Sequence, residues 1–376
     1  MRRGPRSEGS LGPGPDRSIR PREQGGPASV GARIESIGVA LPERRATSRE
    51  VVDSCRHAPR IHLERLTGIR ERRVCGEGED SHSLAVDAAR RCLARSRHGA
   101  QDVEMVICSS ITKFVGGLSY RFEPALSLSI TESLGVKNAI HFDVSNACAG
   151  MLTGIALLDS FIRSGTLRCG MVVSGEYVSS ISDNAAQVIR STGSRQLASL
   201  TVGDAGAAVI VDRAAPEAGE ILACEFSTFA EHGRLCIGRP SSKRPGARMI
   251  TDAQRIHQAA IAICAPTVRA ALVASRLRMD EIDFLIPHQT SIRAIRSGRR
   301  SLEAELGSMA RVVVENLETL GNTASTSHFL ALERLIGEGA LRSKDRIMLL
   351  AFASGIVIGS LVFTVGELGG VRGHGD

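Results

Sequence analysis

From residue 32 onward the spacing of apolar and polar positions changes in blocks along the chain. Ala32–Ala40, ARIESIGVA, alternates with period two and predicts a strand. Residues 83–96, SLAVDAARRCLARS, put their apolar positions on one helical face, and the run 103–109, VEMVICS, reads as a buried strand. A strand over 139–144 leads into a helix from about Cys148 to Arg163. Met151, Leu152, Ile155, Leu157, Leu158, Phe161 and Ile162 make that helix apolar nearly all round, so it is expected to be buried on every side. Gly165 stops it and the strand 171–174 follows, which makes a parallel crossover unit. Residues 200–212, LTVGDAGAAVIVD, are expected to close this half as a strand.

The order then recurs: a strand near 220–228, a helix over 253–277, a buried strand inside IDFLIPHQTS (282–291), a helix over 290–306, a strand over 311–314, a helix over 323–337 and strands over 346–352 and 358–365. IDFLIPHQTS mirrors VEMVICSSIT (103–112): in each, an amphipathic helix and a short link precede a buried strand and a polar loop. The pattern suggests a duplicated α/β chain, with halves at 32–213 and 214–368 and a flexible tail over 369–376.

Composition narrows the class. With 376 residues and 43% of them hydrophobic, the chain can bury a sizeable core in two domains. Residues 1–31 hold five Pro, seven Gly and six Arg against three acids, and are expected to form a disordered leader; a misplaced start codon would leave the same pattern. The net charge of +7 is almost all Arg, since only four residues are Lys. Aromatic content is 3% and no basic–aromatic interleaving occurs, so nucleic-acid binding is not expected. No uncharged apolar run approaches the ~18 residues of a membrane span, and no apolar segment follows the basic N-terminus. A cytoplasmic protein is the expectation. The nine Cys (55, 75, 92, 108, 148, 169, 224, 236, 264) include no CxxC pair, so metal, redox and cofactor readings find no motif.

Three residues carry chemistry by position. Cys148, in DVSNACAGM, stands where a strand ends and a buried helix begins, and the positive end of that helix is expected to push its thiol toward thiolate. Ala147, Ala149 and Gly150 leave room beside it. His288, in LIPHQTS, follows a buried strand; alone it reads as a loop histidine. Asn322, in LGNTASTS, alone reads as a helix cap. Together, a Cys, a His and an Asn, each at a strand-to-helix junction, make a nucleophile with two polar partners.

With these residues the chain resembles the ketoacyl-ACP synthase III enzymes of the thiolase superfamily over about residues 32–367. LPER (41–44), LTGIRERR (66–73), FDVSNACAG (142–150), GDAGAA (203–208), PHQTSIRAI (287–295), GNTAS (321–325) and LLAFASG–GS (349–360) fall in that family's order. The resemblance implies an α/β thiolase-like fold, two duplicated halves in a layered αβαβα arrangement, and an acyltransferase working on acyl thioesters of carrier protein or coenzyme A. It implies that Cys148 is acylated and that His288 and Asn322 stabilise an enolate on a second thioester. The backbone N–H groups of Cys148 and Ser354 would form the oxyanion hole. No Cys follows 264, which disfavours a degradative thiolase, and Asn322 in place of a second His matches type III.

Two departures bear on substrate. Where the family clamps adenine with Trp and Arg, this chain has His62 and Leu66; Arg65 is the nearest substitute, and a carrier-protein donor gains weight. Arg293, Arg296 and Arg300 fall on one helical face, either as a solvated surface or as a docking patch for pantetheine phosphate or an acidic carrier. Loop 112–124, TKFVGGLSYRFEP, carries Glu123-Pro124. This resembles the olefin-pathway and α-pyrone-synthase subgroup, in which the Glu reaches across a homodimer and removes an α-proton. That implies condensation without decarboxylation. The alternatives are decarboxylative synthesis from a malonyl thioester, acyl transfer to an alcohol or amine, or a non-catalytic partner subunit.

Overall fold

The computed structural model describes residues 31–214, 218–366 and 368. The leader expected over 1–31, apart from Gly31, and the tail expected over 369–376 lie outside the described residues.

The first half contributes β1 (Ala32–Ala40), the short pair β2 (Arg45–Thr47) and β3 (Glu71–Arg73), β4 (Met105–Cys108), β5 (Ile140–Asp143), β6 (Cys169–Glu176) and β7 (Ala205–Arg213). The second contributes β8 (Ile221–Thr228), the hairpin β9 (Cys236–Pro240) and β10 (Ala247–Thr251), β11 (Phe284–Pro287), β12 (Val312–Val313), β13 (Arg346–Ala353) and β14 (Val357–Thr364). One sheet has the order β1-β7-β6-β4-β5 and the other, read from its far edge, β8-β14-β13-β11-β12. Numbered within each half, the two orders are the same. The pairings match as well: antiparallel, antiparallel, parallel, parallel.

The α-helices are α1 (Ser48–Asp53), α2 (Leu63–Thr67), α3 (Ser81–Arg95), α4 (Leu126–Leu134), α5 (Gly150–Arg163), α6 (Ser179–Ala186), α7 (Ala253–Ser275), α8 (Ile292–Leu306) and α9 (Ser327–Gly337). Strand residues alternate between two cores, as the pleat requires. Ile107 and Val172 point to the central core with Met151, Leu152 and Ile155 of α5 and Phe329 and Leu332 of α9. Val106, Met171 and Val173 point outward to Leu84, Ala85 and Ala88 of α3. On the far side, Leu285, Met348 and Leu350 meet Val268 and Leu272 of α7 and Leu302 of α8. Five layers result, with α5 and α9 between the sheets. Burial on both sides is why α5 is apolar nearly all round.

Among the described residues α7 is the one helix long and apolar enough to cross a membrane by length and composition. Its Cys264, Ala265, Val268 and Ala271 are buried, and it packs on β8 and β14.

Two expectations change. The strand placed over 200–212 is a 3₁₀ turn, Leu197–Thr201, followed by β7. Asp204 stands between them, fully buried, and accepts from the Cys75 and Ser179 N–H groups and the Ser179 hydroxyl. The GDAGAA block therefore begins with a cross-link rather than with a strand. The helix placed from Cys148 starts as a 3₁₀ turn, Ala147–Ala149, before α5.

Candidate active site

Cys148, His288 and Asn322 line one cavity of about 450 Å³, within the usual range for small-molecule sites. Its walls come from α2 (Leu63, Leu66), the 197–201 turn, β10 (Met249, Thr251), α7 and α8. Most of the lining is aliphatic. Arg293 and Arg299 are its exposed guanidinium-bearing residues.

Cys148 is seated by strain. Ala147 before it has φ 44°, in the left-handed region that an L-residue with a Cβ occupies at a cost. Asn146 secures the turn by donating from Nδ2 to Thr153 Oγ1 at 2.8 Å. Cys148 is partly exposed, and that exposure is to the cavity. The expectation of a thiolate favoured by the helix end is corrected here. Burial, then the neighbouring Cys236 and Glu176, push the thiol up, so acylation needs a proton acceptor.

His288 follows β11, with its backbone N–H donating to the Leu350 carbonyl at 2.9 Å. Its Nδ1 is buried without a partner among the described residues, which leaves Nε2 as the ring nitrogen open to the cavity. Burial and the neighbouring His328 hold its pKa down, to about 3, so the ring is neutral. A neutral imidazole can accept a proton or, in the other tautomer, donate one. The sequence reading missed two of its supports. Buried Gln289 donates to the Pro287 and Val314 carbonyls and accepts from the Asn316 N–H at 2.7 Å, fixing the turn. His328 stacks on His288 with centroids 5.9 Å apart and donates from Nε2 to the same Leu350 carbonyl at 3.1 Å. Gln289 adjoins the motif His and could have been found by adjacency; His328 gave no signal, since only the fold brings α9 to β11.

Asn322 sits where two chain segments cross. Its N–H donates to the Thr201 carbonyl and its carbonyl accepts from Gly203 N–H, at 2.9 and 3.0 Å. The crossing requires Gly321, whose φ is +67° and whose added Cβ would stand 2.7 Å from the Thr201 carbonyl oxygen. Asn322 Oδ1 accepts from Ala324 N–H at 3.0 Å, so its Nδ2 hydrogens remain for a ligand.

The remaining sequence candidates divide. Ser354 lines the cavity in the turn after β13, before Gly355 (φ +91°), and its hydroxyl donates to Cys236 Sγ at 3.1 Å. Cys236 lines the same cavity. Of the three arginines on one face, only Arg293 lines it. Arg296 is ion-paired with Glu315 at 2.9 Å, and Arg300 points elsewhere, while Arg299 takes a place at the wall. His62 and Arg65 are exposed and do not line the cavity, whereas Leu63 and Leu66 do, so the wall there is aliphatic. Glu123 is exposed and lies outside the cavity of its own chain.

The neutral histidines give a prediction for stability. Burial holds His288 near 3 and His328 near 4, against an ordinary 6.5. Between those values the unfolded chain binds more protons than the native one. The stability tied to neutral rings is complete above about pH 6.5 and is lost as pH falls toward 4 and then 3. Buried Glu176, raised to about 7, works the other way: its contribution is present below about pH 4.5 and is lost as pH rises through 7. A comparison of thermal midpoints isolates one ring. His328→Leu is expected to flatten the decline between pH 6.5 and 4; a parallel decline in both proteins would contradict burial as its cause.

The five-layer fold and a largely apolar cavity lined by a cysteine at the foot of a central helix, a histidine and an asparagine define a thiolase-fold acyltransferase. The family model for 3-oxoacyl-(acyl-carrier-protein (ACP)) synthase III matches residues 142–229, and the model for its C-terminal part matches 272–365. The chain is 30% identical over 335 residues to the beta-ketoacyl-(acyl-carrier-protein) synthase III of Streptomyces lividans, covering 86% of this chain and 92% of that one. It is 28% identical over 339 residues to that of Novosphingobium aromaticivorans, covering 88% and 98%. In fold it is similar to the Aquifex aeolicus synthase III, with a TM-score of 0.75, 24% identity and coverage of 89% and 100%. It is likewise similar to Xanthomonas campestris OleA, with a TM-score of 0.79, 22% identity and coverage of 89% and 98%. The chain belongs to the beta-ketoacyl-(acyl-carrier-protein) synthase III family.

Proposed function

We propose that this enzyme joins two acyl thioesters by Claisen condensation without decarboxylation, as a homodimer in which Glu123 of the partner subunit supplies the base. Acyl thioesters of carrier protein or coenzyme A are the substrates, and Arg293 at the wall is the contact for the pantetheine phosphate.

His288 takes the thiol proton and Cys148 Sγ attacks the first thioester carbonyl. The new C–S bond forms, the carrier C–S bond breaks, and the carrier thiol leaves with the proton. The N–H groups of Cys148 and Ser354 hold the oxyanion. The second thioester then enters with its carbonyl oxygen accepting from Asn322 Nδ2 and from His288 Nε2–H, the ring having moved its proton from Nδ1 to Nε2. Glu123 of the partner subunit removes its α-proton, and the carbanion attacks the carbonyl on Cys148. A C–C bond forms, the Sγ–C bond breaks to leave a Cys148 thiolate, the proton held by Glu123 returns to that sulfur through solvent, and a β-ketoacyl thioester leaves.

The observation that carries this reading is the setting of Glu123. Its neighbour Phe122 is 82% exposed, and Ile111, Tyr120 and Ile140 are also exposed apolar residues of this loop region and of β5. β5 is an outer strand of the first sheet, and among the described residues one of its edges is unpaired. A free sheet edge beside exposed apolar residues fits burial against a second copy, and an acid carried there enters an apolar interface, where desolvation raises a carboxyl toward the pKa of a useful base. Glu123→Gln is expected to acquire the acyl mass on Cys148 at the normal rate and to lose condensation by roughly 10²–10⁴-fold. Loss of both steps together would assign Glu123 a structural part instead. The relatives' names, beta-ketoacyl-(acyl-carrier-protein) synthase III, fit equally a second reading, in which CO2 loss from a malonyl thioester makes the carbanion and Glu123 takes no part.

A further inference from the structure

We propose that Glu176 is a positioning residue that locks the Asn322 turn to the root of loop 112–124, setting the geometry of condensation rather than of acyl loading. The inference rests on the reading of Asn322 as the donor to the second thioester.

Glu176 ends β6 and is fully buried, outside the cavity, so it touches no substrate. Among the described residues every partner of its carboxylate donates to it. The Ile111 N–H bonds both oxygens, at 3.0 and 3.2 Å. The Thr112 N–H and hydroxyl bond Oε2 at 3.3 and 3.2 Å. The Ser174 and Ser325 hydroxyls bond Oε1 at 3.0 and 2.6 Å. A shell of donors suits a carboxylate and no other side chain of that size, because an amide turns one oxygen into a further donor.

The shell reaches two functional segments. Ser325 lies three residues past Asn322 in the turn Ala324–Thr326, whose Ala324 N–H orients the Asn322 amide. Ala324 has φ 53°, a strained backbone that needs outside support. In the other direction, Ile111 and Thr112 open the loop that ends at Glu123. One buried anion therefore fixes the group that polarises the second thioester and the root of the segment that bears the proposed base. Burial raises its carboxyl to about 7, the ordinary consequence of a dry site whose donors only partly offset desolvation.

The test uses the full-length enzyme, with lauroyl-coenzyme A as sole thioester and with malonyl-coenzyme A added in parallel. Acyl mass on Cys148 and β-keto product are followed separately in Glu176→Gln, Ser325→Ala and Asn322→Ala. Glu176→Gln and Ser325→Ala are expected to load at rates within about threefold of the parent and to condense roughly 10- to 100-fold more slowly, the scale of an ångström's misplacement. The double variant is expected to be no slower than the slower single one, since both break one linkage. If Glu176→Gln fails to fold, Ser325→Ala carries the test, because it keeps the carboxylate. Unchanged condensation in both, or equal loss of loading and condensation, would overturn the proposal. Unchanged condensation in Asn322→Ala would overturn the underlying reading instead.

Discussion

Cys148→Ala is expected to gain no mass when mixed with an acyl thioester, while the parent protein gains one acyl group, and to lose condensation by at least about three orders of magnitude. Two further thiols line the same cavity: Cys236, which accepts a hydrogen bond from Ser354, and Cys264. The experiment therefore has a sharp control in Cys236→Ala, expected to load normally. Acylation of Cys148→Ala at the normal rate would show that the nucleophile lies elsewhere. Stability is not the issue: Cys148 is a small, partly exposed side chain at a turn held independently by Asn146 and Thr153.

His288→Ala and Asn322→Ala are expected to separate the two half-reactions. Because burial, Cys236 and Glu176 push the Cys148 thiol up, loading needs a base; two histidines line the cavity, His257 and His288, and the proposed mechanism gives the part to the neutral His288 ring. Its removal is expected to slow both loading and condensation, each by roughly 10²–10⁴-fold. Asn322 offers only amide hydrogens, since its Oδ1 is held by the Ala324 N–H. It cannot take a proton, so Asn322→Ala is expected to load normally and to lose condensation by roughly 10²–10³-fold, the worth of one donor to a developing oxyanion. Stopped-flow release of the carrier thiol measures loading, and mass detection of the β-keto product measures condensation. Equal defects of the two variants in loading would remove the distinction drawn between base and donor.

How far the sequence reached is clearest at Cys148 itself. The all-round apolar pattern of α5 foretold a helix buried on every side, and the small residues around Cys148 foretold space beside it; the cavity and the two-faced burial of α5 show both. The direction of the thiol's shift did not come through, because it depends first on burial and then on Cys236 and Glu176, which the fold brings near from 88 and 28 residues away along the chain. The recurring strand–helix order was legible in the hydrophobic periods, whereas the strand order within each sheet was not, since pairing partners are set by tertiary packing. At the arginine helix, spacing alone put Arg293, Arg296 and Arg300 on one stripe. Only the fold shows that Glu315 holds Arg296 and that Arg299 is turned to the wall. His328 and Glu176 were silent for a common reason: a buried polar group is defined by its neighbours, and those come from other layers.

The most direct measurement is the carbon balance of the condensation. The parent enzyme is given two different saturated acyl thioesters, with no malonyl thioester present, and product mass and CO2 are followed together. The result predicted is a β-ketoacyl product containing every carbon of both chains, with no CO2 released. A product that appears only when a malonyl thioester is supplied, with one CO2 for each C–C bond, would contradict deprotonation by Glu123.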